Sequence, residues 1–346
     1  MRWQPWEDLR DATLLRSQPR MAHGLDARIV MGTGDLEGKR AGLVNRKQRV
    51  YDLRRCALGT DTAATTTTSG RRSGSILAVD DPPSRMLFMD HNEYSGRLGD
   101  AVIVAARLYG DSWSRWGNDL DTTSRAELNW HNADMNVGFV TERGYTVGHS
   151  HFAPQCSSLC PAANANYGRS THAYEGHGAN LPAHLATRLS LSNQTTAWLD
   201  KFPHDIAYEF PLSTCTLEQP KASHFWKFDV AFSLSYVLDC ISLPYSHNCA
   251  RYNLPYNKPG IFQTNLVTVP WDGLSIVGLS VASNIGRKCD NLPAAAVYPH
   301  PVATDWGNAI VRHHHLRVHD PLEFARLQAQ FSVILSKQLE TNKFAP

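Results

Sequence analysis

The sequence predicts an α+β fold with a mainly antiparallel central sheet, flanking helices and a long C-terminal helix. Three observations carry that expectation. "KFDVAFSLSYVLDC" (Lys227–Cys240) alternates apolar residues at period two, the repeat of a strand with one face on a core. "IFQTNLVTVPW" (Ile261–Trp271) and "LSIVGLSVAS" (Leu274–Ser283) are strand-like runs joined by Asp272-Gly273, a turn that makes antiparallel partners. "DPLEF" then opens an apolar stripe of Phe324, Leu327, Phe331, Ile334, Leu335 and Leu339, which a helix brings to one side.

In chain order, residues 1–20 carry Trp3, Trp6 and three leucines between Pro5 and Pro19, an arm with apolar anchors. The glycines of "MGTGDLEGKR" (Met31–Arg40) fit neither a P-loop nor a dinucleotide-binding spacing, so a turn is expected. "KRAGLVNRKQRVYDLRR" (Lys39–Arg55) holds seven basic residues against one acid. "GTDTAATTTTSGRRSGS" (Gly59–Ser75) offers little to bury and reads as a linker. The expected organisation is an N-terminal arm with a basic segment (1–58), a linker (59–75) and one α+β domain (76–346).

Within the domain, residues 75–79 and 85–89 are short apolar strands. "GDAVIVAARLYG" (Gly99–Gly110) reads as a buried helix closed by its last glycine, and residues 121–132 as a second helix. "NVGFVTERGYTVGHSHF" (Asn136–Phe152) reads as two strands around Glu142-Arg143-Gly144, a hairpin signal. Residues 153–181 form a long irregular loop, and a helix follows from Pro182 to about Phe202. At the C-terminus, Asp320 caps a helix with Pro321 in its first turn and an acid at its third position.

Apolar residues make up 42% of the chain and charged residues 19%, a balance that suits a substantial core and excludes a disordered chain. The net charge is only +2, but the first 74 residues carry 14 Lys/Arg against 8 Asp/Glu. Lys39, Arg40, Arg46, Lys47, Arg49, Arg54 and Arg55 therefore form a candidate contact for an acidic partner or RNA. The N-terminus has no apolar signal core, and no apolar run reaches the ~20 residues of a membrane span. A protein neither secreted nor transmembrane is expected, in a virion or host cytoplasm. Seven cysteines without a CxxC spacing point to free thiols.

Two histidine groups are candidate sites. On a strand, His149 and His151 face one side and could share a divalent metal such as zinc with His172 and His177 of the following loop. His313, His314, His315 and His319 cluster near a helix end, where imidazoles titrate near neutral pH; His315 and His319 are one helical turn apart. No cofactor is expected outside the metal alternative. Trp113 and Trp116 of "SWSRW", with Trp3 and Trp6, are candidate interface anchors. Catalytic signatures all break at a needed residue. The leading expectation is thus a structural, assembling protein, most concretely a viral capsid or capsid-surface protein contacting itself or a larger shell. The alternatives are a metal-dependent protein using His-x-His and a nucleic-acid-binding module using the basic segment.

Overall fold

The computed structural model describes residues 36–58, 85–91, 96–118, 140–154, 156, 158–161, 164–169, 176, 181–246, 252, 258–269 and 298–342. By internal contacts the chain divides into Met1–Arg40 and Ala41–Pro346, and the architecture below is that of the second unit. The expected strands at 75–79 and 274–283, the helix at 121–132 and the linker at 59–75 lie outside the described residues.

Helix α1 (Leu36–Ala57) precedes β1 (Arg85–His91), which leads through α2 (Arg97–Tyr109) to β2 (Trp113–Asn118). The short α3 (Asn164–Tyr167), α4 (Ala183–Leu199) and α5 (Phe202–Glu209) separate β3 (Tyr145–Phe152) from β4 (Thr214–Pro220). A 3-10 turn (His224–Lys227) and α6 (Asp229–Val237) precede β5 (Ile241–Ser246) and β6 (Pro259–Thr264). The chain closes with α7 (His300–His319) and α8 (Pro321–Asn342).

The six strands form one sheet in the order β2-β1-β3-β4-β6-β5. The fold is α+β with flanking helices and a long C-terminal helix, but the sheet is mixed, not mainly antiparallel. β1 pairs in parallel with β2 and β3, and β3 in parallel with β4; only β6 runs antiparallel to its neighbours β4 and β5. The parallel half follows from connections that carry helices, because parallel strands need a crossover. The expected hairpin before β3 does not form. Residues 140–142 are helical, Gly144 turns with φ 68°, and β3 lies between two parallel partners.

The period-two stretch at Lys227–Cys240 forms no strand: its centre, Asp229–Val237, is helix α6. Its alternation encodes two helical stripes. Val230, Leu234 and Val237 are buried on one, and Phe232 stacks on Tyr236 along the other, with ring centroids 5.8 Å apart. The run at Ile261–Trp271 leaves the sheet after Thr264.

Helices cover both faces of the sheet. Val50 of α1 and residues of α4, α5 and α6 pack with Leu87, Met89, Val147 and Leu217. On the other face α2, α7 and α8 pack with Phe88, Trp113, Leu243, Tyr245 and Phe262. In α2, Leu98, Val102, Ala105 and Ala106 make the buried stripe, and Gly110 ends the helix at φ 76°. The Asp111 N–H reaches back to the Ala106 carbonyl at 2.9 Å, closing a Schellman-type end that only a left-handed residue supports. α2 and α7 touch where Ala101 meets Gly307 and again where the Tyr109 ring meets His315 at 4.8 Å. They therefore run the same way, with their carboxyl ends together. α8 begins as expected: Asp320 Oδ1 accepts the Glu323 N–H at 3.1 Å, and Phe324, Leu327, Phe331, Ile334 and Leu335 pack inward. Among the described residues, no helix is long and apolar enough to cross a membrane.

Candidate functional site

The sheet interior facing α7 is polar at its centre. Strand β3 carries His149 and His151, both fully buried. Gly148 precedes them because Met86 and Trp113 fill the space beside its Cα; a Cβ there would sit 2.6 Å from Met86 Cε and 2.7 Å from the Trp113 ring. His149 Nδ1 lies 2.7 Å from Thr214 Oγ1 on β4. The same hydroxyl lies 3.2 Å from His314 Nε2 on α7 and 3.2 Å from the Gly148 carbonyl. Arg317 Nη2 is 3.2 Å from His314 Nδ1.

Donor rules fix the protons. Arginine only donates, so His314 Nδ1 accepts and its Nε2–H donates to Thr214. The Thr214 hydroxyl donates to the Gly148 carbonyl and accepts a second hydrogen bond from His149 Nδ1–H. That leaves the Nε2 lone pair of His149 buried and without a hydrogen-bond partner among the described residues. Burial holds His149, His313 and His314 well below the ordinary imidazole range. Neighbouring charge adds to it: His151 and His313 at His149, Arg317 and Arg54 at His313, and Arg317 first at His314. His313 Nδ1 accepts the Val267 N–H at 3.1 Å.

Asp90 and His91 end β1, beside His151 and Phe152 of β3. This is where the sheet order reverses: β1 connects to β2 on one side and borders β3 on the other. Open sheets with parallel strands bind ligands outside the carboxyl ends of strands at such a point. His151 Nε2 meets the Tyr298 hydroxyl at 3.1 Å. His91 points to the opposite face, stacked on Phe152 at 4.9 Å and edged by Trp198 and Phe202. Burial pushes His91 and His151 down to about 3. Cys156 and Cys160 follow β3 as half-buried free thiols.

The basic segment is the inner and outer face of α1. Arg46 pairs with Asp200 at 3.6 Å, and Lys47 and Arg54 with Asp239 at 3.2 and 3.4 Å. Arg49 lies over the Tyr208 ring and Arg55 over Tyr51. Three of the segment's basic residues, Arg46, Lys47 and Arg54, thus pair with acids of their own chain. The side chains of Lys39 and Arg40 lie outside the described residues, as do Trp3, Trp6, His172 and His177.

The structure thus keeps His149 and His151 on one face but gives them different partners, Thr214 and Tyr298. Trp113 and Trp116 are not loop residues; they lie on β2, buried in the two cores. Of the four helix-end histidines, His313 and His314 are buried, while His315 is half-buried and His319 exposed. His315 Nδ1 is 3.3 Å from Asp111 Oδ2, and its ring centroid is 4.4 Å from that of His319. Sequence reading missed Asp90, Asp111, Thr214 and Tyr298. "RMLFMDH" did signal a strand ending in Asp-His; Thr214 and Tyr298 carry no local signal, because tertiary pairing alone brings them in. No protein-family model matches the chain, and no curated protein matches it.

Proposed function

We propose that this chain works by assembly, making contacts with copies of itself or with a larger shell, of which a virion is the most concrete setting. One observation supports this reading above the others. Four large apolar side chains stand exposed around the joined carboxyl ends of α2 and α7: Val104 (56%), Leu108 (79%), Val318 (69%) and Leu322 (84%). Val104 and Leu108 are one turn apart on α2, on the side adjoining Ala101, which touches α7. Val318 lies about three turns beyond Gly307, which touches Ala101 of α2, and Leu322 opens α8. Single exposed apolar residues are ordinary; a group at one edge fits a contact surface.

Covering Leu108 and Leu322 would each contribute about 1.5–3 kcal/mol gross. A Leu108→Asp, Leu322→Asp variant is the test. Sedimentation should show a wild-type assembly that the variant loses while keeping its circular dichroism. A wild-type assembly indifferent to both changes would refute the use of this face.

A second reading is supported by the switch point: a metal-dependent or small-ligand site outside Asp90, His151 and Tyr298. It is the form in which the His-x-His expectation persists. Zinc uptake lost in a His149→Ala, His151→Ala double variant would support it, and uptake unchanged by that variant would count against it.

A further inference from the structure

We propose that Asp111, His315 and His319 form a binding site for a zinc-class divalent cation. The three residues each offer one ligand atom, and these atoms lie within 4.8 Å of one another. Metal bonds of about 2.0–2.2 Å set ligand edges of about 3.3–3.5 Å in a tetrahedron. The Asp111 Oδ2 to His315 Nδ1 separation of 3.3 Å already has that length. His315 and His319 lie one turn apart at the end of α7, their rings tilted by 35° with centroids 4.4 Å apart, so exposed His319 is the ligand that closes onto the other two.

The fold places the group deliberately near negative potential. Asp111 is the residue on which the α2 termination turn closes, and His315 and His319 occupy the last turns of α7. Two helix carboxyl ends therefore converge on one point, and each carries a partial negative charge that favours a cation. Two imidazoles and one carboxylate suit zinc, manganese or ferrous iron over calcium or magnesium, which prefer all-oxygen sets. Three protein ligands leave a fourth position for water, and exposed His319 gives entry from solvent. A bound ion would tie the end of α2 to the end of α7, where the Tyr109 ring meets His315 and Asp111 pairs with His315.

The experiment is zinc titration of the chelator-stripped full chain by calorimetry, with cobalt absorption as a second reading. The expected result is one site that His319→Ala weakens at least about tenfold, with calcium inert. His319 is exposed, so the variant keeps its fold. Asp111→Asn should weaken zinc as well. The cobalt spectrum should lack thiolate charge-transfer bands, which excludes Cys156 and Cys160 as the ligands. No zinc uptake, uptake unchanged in His319→Ala, or a thiolate-type cobalt spectrum would each overturn the proposal. Because Val318 and Leu322 flank His319, the titration is repeated on the Leu108→Asp, Leu322→Asp variant, in which assembly does not cover the site.

Discussion

Gly307 offers the sharpest test of how α2 and α7 are packed. It lies in the interior of α7, where helix propensity alone favours alanine over glycine by about 0.8–1.0 kcal/mol. Gly307→Ala would therefore stabilise an isolated helix. In the folded protein, a Cβ at this position would lie 2.7 Å from the Ala101 carbonyl carbon, 2.8 Å from its Cβ and 2.9 Å from the Val102 nitrogen. Two of these three atoms belong to the backbone of α2, so no side-chain rotation relieves the clash. Carbon contacts need about 3.5–4.0 Å, so the helices must move apart by roughly 1 Å. Overpacking of this kind costs about 1–3 kcal/mol, and the separation also loosens Val102 and Val311 in the core. The net expectation is destabilisation by about 1–2 kcal/mol, read as a lower midpoint in urea at unchanged slope. Val333→Ala, on the exposed side of α8, is the control and should shift stability by no more than about 0.5 kcal/mol. A Gly307→Ala protein as stable as wild type, or more so, would refute the close approach of these helices.

Thr214→Val keeps the shape of the side chain and removes the hydroxyl that receives His149 and His314. Two buried N–H groups lose their acceptor, for an expected cost of about 2–4 kcal/mol in chemical denaturation; a cost under about 1 kcal/mol would show that the relay is not formed. Acid should unfold the protein well before carboxylates titrate. His91 and His151 have folded values of about 3 and His204 about 4, against 6.5 unfolded, with burial the first cause in each. A lowered histidine value means the unfolded chain binds more protons below 6.5. Stability is thus full above pH 6.5 and falls as pH drops toward 4, by up to about 1.4 kcal/mol per pH unit for each histidine. Urea midpoints flat from pH 7 to 4.5 would contradict that burial. Asp239→Asn tolerates the left-handed backbone at φ 60° but breaks both ion pairs to α1. These pairs are partly exposed, so the change should cost at most about 1 kcal/mol in urea.

What the sequence revealed divides by the range of the interactions involved. α2, α4 and α8 were legible because caps and stripes are local: Gly110 at one end, Asp320 at another, and the Phe324–Leu335 spacing along a face. α6 was misread because Phe228, Phe232 and Tyr236 interleave with Val230 and Leu234. Two helical stripes on a nearly all-apolar segment imitate the alternation of a strand. The parallel half of the sheet was hidden because "GYTVGHSHF" carries a turn signal with no antiparallel partner to use it. The histidine sites were half legible. His149 and His151 share a face, as a strand requires, and His315 with His319 share a helical turn. Their partners Thr214, Tyr298 and Asp111 come from 65, 147 and 204 residues away, a distance at which spacing says nothing.

The assembly proposal is tested most directly by the native mass of the full chain, measured by light scattering in the presence of a chelator. The proposal predicts a multiple of the 38.5 kDa protomer that persists without metal and dissociates in the Leu108→Asp, Leu322→Asp variant. A monomer at every concentration, binding neither itself nor a shell, would contradict it.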